Sequence, residues 1–154
     1  MINFLFKGLV NCYVEFNIII LFRRCILLLK PIENRIDTVF VHVSDLERSI
    51  QWYSILFGLK IKEEKNFGPL YTLDMGDGLP GITLDDHCLD KDYKFIPSNQ
   101  PLFNISTSDI NIAYEHVTGM GAEIITEIIT HPDLAEFSFK DPDGNIIMVC
   151  TCFS

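Results

Sequence analysis

The sequence is short of positive charge. Its 154 residues hold 12 lysines and arginines against 21 aspartates and glutamates, a formal net charge of −9 at pH 7. Lys7, Arg23, Arg24 and Lys30 all fall among the first thirty residues, with Glu15 the lone acid there, so the remainder is more acidic than the whole. Phosphate backbones need a basic surface, so nucleic acid is excluded as a partner; the acidic surface reads as a solvated one that aids solubility. The chain has five cysteines, Cys12, Cys25, Cys88, Cys150 and Cys152, but no CxxC pair, which excludes zinc-ribbon and thioredoxin-like sites. An odd count argues against a disulfide framework, and reduced thiols in a cytoplasmic protein are expected. No apolar stretch approaches the roughly 20 residues needed to span a bilayer, because Arg23 and Arg24 interrupt the run that begins at Phe16. Those arginines inside the run, and the want of an A-x-A site after it, also exclude a signal peptide. A hydrophobic content of 48% excludes a disordered chain, and the length suits one domain.

Residues 1–31 are set apart as an atypical N-terminal extension, and the domain is placed at 32–154. The extension shows neither helical nor strand periodicity. Three readings stay open for it: a translated upstream extension with the true start near Leu29-Lys30-Pro31, a membrane-surface anchor, or an extra element packed on the domain.

From residue 36 one pattern occurs twice. Ile36–Val43 is a β-branched and aromatic run that reads as a strand. Ser44-Asp45 is a helix N-cap; Leu46, Ile50, Tyr53 and Phe57 follow at helical spacing, and Gly58 stops the helix. Strand-like runs come at Leu59–Glu64, Leu70–Met75 and Gly81–Asp85, the last two separated by a turn at Gly76–Gly78. The second pass opens with a strand at Leu102–Thr107 and a cap at Ser108-Asp109. An apolar helical stripe of Ile110, Ala113, Tyr114 and Val117 ends at Gly121. Strands are expected at Glu123–Thr130, Ala135–Lys140 and Ile146–Thr151, with a turn at Asp141-Pro142-Asp143-Gly144. Asp45 and Asp109 are 64 residues apart and Gly78 and Gly144 are 66 apart, so a βαβββ unit is duplicated. Each unit makes a curved sheet with a helix on one face and leaves the other face to a partner. The expected fold is therefore α+β: two βαβββ modules whose curved mixed sheets enclose a cavity, with the helices outside.

The stretch Ile36-Asp-Thr-Val-Phe-Val-His-Val-Ser-Asp-Leu-Glu-Arg-Ser-Ile-Gln-Trp-Tyr53, then Leu56-Phe-Gly-Leu59, and the turn Phe139-Lys-Asp-Pro-Asp-Gly-Asn145 resemble the glyoxalase/bleomycin-resistance/dioxygenase family, also called the vicinal-oxygen-chelate superfamily. The resemblance covers about residues 32–152. It implies a cavity that in the family's enzymes holds one divalent metal on His, Gln and Glu of the first and last strand of each unit, where it chelates vicinal substrate oxygens. Carried over one by one, the ligand positions are Thr38 and Leu102, seven residues before the capping Asp45 and Asp109, then Met148 on the last strand and Thr83 as the first-unit equivalent. Leucine cannot ligate, and threonine and methionine are weak ligands for Zn²⁺, Ni²⁺ or Mn²⁺. No metal or other cofactor is expected at these positions.

Strand alternation turns Thr38, Phe40 and His42 to the face opposite Val39, Val41 and Val43. By the same rule Thr83 and Asp85, then Leu102, Asn104 and Ser106, and finally Met148 and Cys150 line the cavity. A mixed wall of this kind suits a small organic ligand. His42 is the sharpest candidate for acid–base work; the plain alternative is a histidine hydrogen-bonded near a sheet edge. Asp85 and His87 share a face and with His42 make a candidate displaced metal site; the plain alternative is a solvated strand end running into the acidic loop Asp85–Asp92. Cys150 reads as a buried neutral thiol rather than a nucleophile. Trp52 and Tyr53 read as packing residues, His116 as exposed, and His131 as lacking a partner. The leading reading is a metal-free small-molecule-binding protein, as the antibiotic-binding relatives are. The alternative is a lyase/isomerase- or dioxygenase-type enzyme using a displaced metal or metal-free acid–base catalysis at His42, and an interaction module without a ligand comes third. The resemblance also implies a homodimer, while neither nucleic acid nor membrane is expected as a partner.

Overall fold

Period-two and period-3.6 segments alternate along the chain, and the computed structural model turns them into two small mixed sheets, each with one helix. The structure describes residues 32–152; the N-terminal extension expected at residues 1–31, with its Cys12 and Cys25, lies outside the described residues. The first module runs β1 (Thr38–His42), α1 (Leu46–Phe57), β2 (Leu70–Leu73) and β3 (Gly81–Asp85). The second runs β4 (Asn104–Ser106), α2 (Ile110–Gly119), β5 (Ile124–Thr130), β6 (Leu134–Lys140) and β7 (Ile146–Cys152). Strand order is β1-β3-β2 in one sheet and β4-β7-β6-β5 in the other, with β1–β3 and β4–β7 parallel and the remaining pairs antiparallel. The sheets are not joined into a closed barrel.

The helix limits follow their caps. The Asp45 side chain accepts the Arg48 N–H, and Asp109 accepts those of Asn111 and Ile112, meeting donors the first turn leaves over. Gly58 closes α1 at φ 64, a left-handed conformation that glycine adopts without Cβ strain, and Leu59 N–H reaches back to Ser54 C=O at 2.8 Å. On the helix side of the first sheet lie Val41, Ile82, Leu84, Tyr71 and Leu73, with Ile50 and Tyr53 from α1 above them. In the second module Ala135, Phe137, Phe139, Ile147 and Val149 meet Ile110 and Val117 of α2. All of these belong to one continuous core.

One expected strand does not form. Leu59–Glu64 is irregular backbone that ends in a 3-10 turn at Glu63–Lys65, so the first sheet has three strands among the described residues. The apolar alternation there covers only Leu59 and Ile61, and Ile61 is exposed. The charged run Lys62–Lys65 gains nothing from a half-buried edge, and the Lys62 N–H goes instead to the Tyr71 hydroxyl at 2.9 Å. The expected strand at Leu102–Thr107 shortens to Asn104–Ser106, and β2 stops at Leu73.

The modules are tied by the Asp141–Gly144 turn rather than by strand pairing. Asp143, whose side chain is wholly buried, accepts from Ser44 N–H at 2.7 Å, from the Ser49 hydroxyl at 2.6 Å, and from the Ser44 hydroxyl and Arg48 guanidinium. Asp141 accepts the Tyr53 hydroxyl at 2.7 Å and the Asn145 side-chain amide at 2.9 Å, and Asn145 also donates to the His42 carbonyl. The sequence motif around Ser44–Tyr53 and the distant Asp-Pro-Asp-Gly turn are thus two halves of one buried polar joint.

Candidate functional site

With α1 and α2 covering one face of each sheet, the other faces are free of helix. Register fixes their residues. Phe40 lies opposite Thr83, His42 opposite Asp85, and Thr72 opposite Thr83. In the second sheet Asn104 lies opposite Met148 and Ser106 opposite Cys150, with Ser138 and Glu136 completing those rows. By this register Thr38, Phe40, His42, Thr83, Asp85, Asn104, Met148 and Cys150 stand on the faces opposite the helices; Ser106, at the end of β4, also borders helix residues, and Leu102, expected on the same face, lies before β4 and packs against the core. Phe40 is 50% exposed while the adjacent Val41 is fully buried.

The family's metal positions do not fit a metal. Thr83 Oγ1 lies 2.9 Å from Thr38 Oγ1 and 3.0 Å from Thr72 Oγ1, so three neutral hydroxyls satisfy one another across three strands. Leu102 and Met148 are half-buried, and neither offers a nitrogen or a carboxylate. Asn104 turns its amide to the Cys150 sulfur at 3.1 Å, and Cys150 is buried.

The titratable groups gather further along β1. His42 Nδ1 lies 2.9 Å from His87 Nε2, and Asp85 Oδ2 is 3.3 Å from His87 Nε2 and 3.9 Å from His42 Nδ1. The other Asp85 oxygen accepts the His87 N–H at 2.8 Å. That bond accompanies a backbone φ of 51° at His87, which turns its ring back over the strand end. Tyr93 stacks on the His87 ring, with centroids 3.9 Å apart and planes 23° apart. Tyr93 was not legible in sequence, since it sits in an acidic loop without periodicity. Thr72 could have been found, because it alternates between the buried Tyr71 and Leu73. His131, expected to lack a partner, lies 3.7 Å from Glu136; the turn at Pro132 folds it back onto β6. His116 is exposed as expected and its Nε2 meets the Leu56 carbonyl at 3.1 Å.

A wider depression, about 580 Å³, lies elsewhere, between Trp52, the α2–β5 turn and the Asp141–Gly144 turn. Its carboxylates Asp141 and Asp143 are already taken up in holding α1, and none of the sequence-predicted residues lines it. Ser106 borders a smaller hollow of about 110 Å³ against Leu56, Phe57 and His116. Burial raises the Asp141 carboxyl, opposed by hydrogen bonds from Asn145 and Tyr53, and burial with the nearby Asp141 charge raises the Tyr53 phenol well above its ordinary value. No described helix is long and apolar enough to cross a membrane.

Known proteins share this fold. A glyoxylase-like domain-containing protein of Didymella fabae is 27% identical over 123 residues, covering 78% of this chain and 95% of the relative. A glyoxalase/bleomycin resistance protein/dioxygenase structure from Alicyclobacillus acidocaldarius superposes with a TM-score of 0.57 at 17% identity, covering 79% of this chain and 93% of the other. A superfamily member from Sphaerobacter thermophilus gives 0.61 at 18% identity, covering 77% and 98%. Residues 35–149 match the model of the glyoxalase/bleomycin resistance protein/dioxygenase superfamily, and the chain belongs to that superfamily.

Proposed function

We propose that this superfamily member binds a small organic molecule, aromatic or amphipathic, on the helix-free faces of its sheets, without a metal at Thr38, Thr83, Leu102 and Met148. The observation that carries the reading is Phe40, an exposed ring on an otherwise polar strand face, flanked by hydroxyls and an imidazole that can orient a bound molecule. Asn104, Ser106, Met148 and Cys150 supply the second wall. The domain keeps its fold while the family's ligand positions carry hydroxyl, thioether and alkyl groups, which suits holding a compound better than activating one through those positions. Displacement of the dye 1-anilinonaphthalene-8-sulfonate by a panel of aromatic compounds tests it. A true ligand at 100 times its Kd stabilises the fold by about 2.7 kcal/mol. Phe40→Ala is expected to weaken such binding at least tenfold; a ligand held equally well by that variant would sink the reading.

A second reading is favoured by the hydrogen bond between His42 and His87, with Asp85 beside both. Such a pair can pass a proton, as metal-free acid–base catalysis of a lyase/isomerase type requires. Once a substrate is known, undiminished turnover by His42→Ala would exclude it.

A further inference from the structure

We propose that His42, Asp85 and His87 form a binding site for one divalent cation of the Zn²⁺ class, displaced along β1 from the positions where the superfamily's metal ligands would stand. The displacement is four residues on β1, from Thr38 to His42, or roughly 13 Å at strand rise. The site shares His42 with the proposed organic-ligand face, but zinc binding can be measured with no organic ligand present.

The geometry is quantitative. Zinc bonds of about 2.0–2.1 Å in tetrahedral arrangement put neighbouring ligand atoms about 3.3 Å apart. Here the three separations are 2.9, 3.3 and 3.9 Å, scattered about that edge. The circle through three such atoms has a radius of about 2.0 Å, so a point at zinc–ligand distance from all three exists near its centre. Two imidazoles and a carboxylate are a proper donor set for a borderline ion.

The surroundings favour a site over a chance pair. Asp85 divides its oxygens: Oδ1 is held by the His87 N–H, and Oδ2 is left facing both rings. Tyr93 stacks on the His87 ring and restrains its orientation. Asp86, Asp90 and Asp92 follow in the next loop and lower the potential around the cation. The His42 side chain is 46% exposed and that of His87 29%, so one side of the triangle faces water and a fourth position stays open to a solvent or substrate oxygen. Binding replaces the N–H···N hydrogen bond: the shared proton moves to the other nitrogen of its ring or leaves to solvent, and both facing nitrogens then offer lone pairs.

The test uses the untagged full chain, stripped with chelator and titrated calorimetrically with ZnCl₂ alone, with zinc measured by elemental analysis after desalting. One equivalent is expected to bind with micromolar Kd or tighter. His42→Gln and His87→Gln should each weaken it at least about 100-fold while the metal-free chain stays folded, since neither ring belongs to the buried core. Tyr93→Ala, which removes only the ring stack, should weaken it several-fold, and Cys88→Ser should leave it unchanged. Absence of binding at 100 µM zinc, an affinity in either histidine variant equal to that of the unmodified chain, or loss on Cys88→Ser alone would each overturn the proposal. Because no organic compound is present, none of these results bears on the small-molecule reading.

Discussion

In the first module three strands carry the sheet, and a charged 3-10 turn stands where a fourth strand was expected; in the second all four strands pair, and β5 accommodates register shifts to do so. The helices differ in the same sense. Eight residues after the capping aspartate, α1 has Tyr53 and α2 has Val117, both buried. Tyr53 needs a polar partner and has Asp141, whereas Val117 needs none. The difference traces to the turns before β3 and β7. Asp141–Gly144 sends two buried carboxylates into α1, while the first module's Asp77 is exposed at a glycine-flanked tip. One duplicated unit thus holds the other through its last turn, without reciprocation. The module that gives up a strand also carries the titratable cluster, at the strand ends of a smaller sheet.

The sharpest way to break this comparison is to remove Asp143. Asp143→Ala orphans the Ser44 and Ser49 donors and the Arg48 guanidinium around a buried position, for an expected loss of about 3–5 kcal/mol in urea unfolding at unchanged m-value. Asp77→Ala, at the corresponding tip of the first module, should change stability by less than about 0.5 kcal/mol. Equal losses for the two would dissolve the asymmetry.

How far the sequence carried the fold can be judged on these same residues. The duplicated cap-and-glycine spacing was enough to place both helices and seven of the eight expected strands, because apolar periodicity and capping are local signals. Leu59–Glu64 misled because two alternating apolar residues look like a strand start, and only the tertiary position of the Tyr71 hydroxyl shows where the Lys62 N–H goes. That Thr38, Phe40 and His42 share one strand face followed from period two alone. The link from Ser49 to Asp143 spans 94 residues and leaves no local trace. Nor could spacing show that Tyr93 would stack on His87, or that His87 would turn back to within 2.9 Å of His42; both depend on a loop whose path is set by tertiary contacts.

Tyr53 offers a smaller but pH-resolved test. Tyr53→Phe removes one hydrogen bond to Asp141 and leaves the Asn145 bonds, for an expected cost of about 1.5–3 kcal/mol. The folded-state phenol is raised well above 10.0, chiefly by burial and then by the Asp141 charge. Above about pH 10 the unfolded chain ionises this phenol while the folded chain keeps its proton, so stability falls as pH rises through that window. The variant should lose this share of the alkaline destabilisation. An identical slope of stability against pH above 10 in both proteins would show that Tyr53 is not held by the joint. Val117 can show no such dependence, so α2 carries no equivalent alkaline liability at this helix position.

The smallest effects should come from the caps, and their order is informative. Asp109 accepts two first-turn N–H groups, at 2.9 and 3.1 Å, as the N-cap of α2. Asp45 accepts one, at 3.0 Å, and α1 has a second carboxylate at its N-terminus in Asp143, which takes the Ser44 N–H just before the cap. Loss of a capping side chain costs about 0.5–2 kcal/mol. Asp109→Ala should fall toward the upper end of that range and Asp45→Ala toward the lower, because Asp143 still faces the positive end of the α1 dipole. If that compensation is real, Asp45→Ala must cost more when Asp143 is already alanine, a coupling of at least about 0.5 kcal/mol in a double-mutant cycle. Strict additivity would mean that the buried joint locks the two modules together without supporting the helix terminus it touches, and the asymmetry between the modules would then lie in their packing alone.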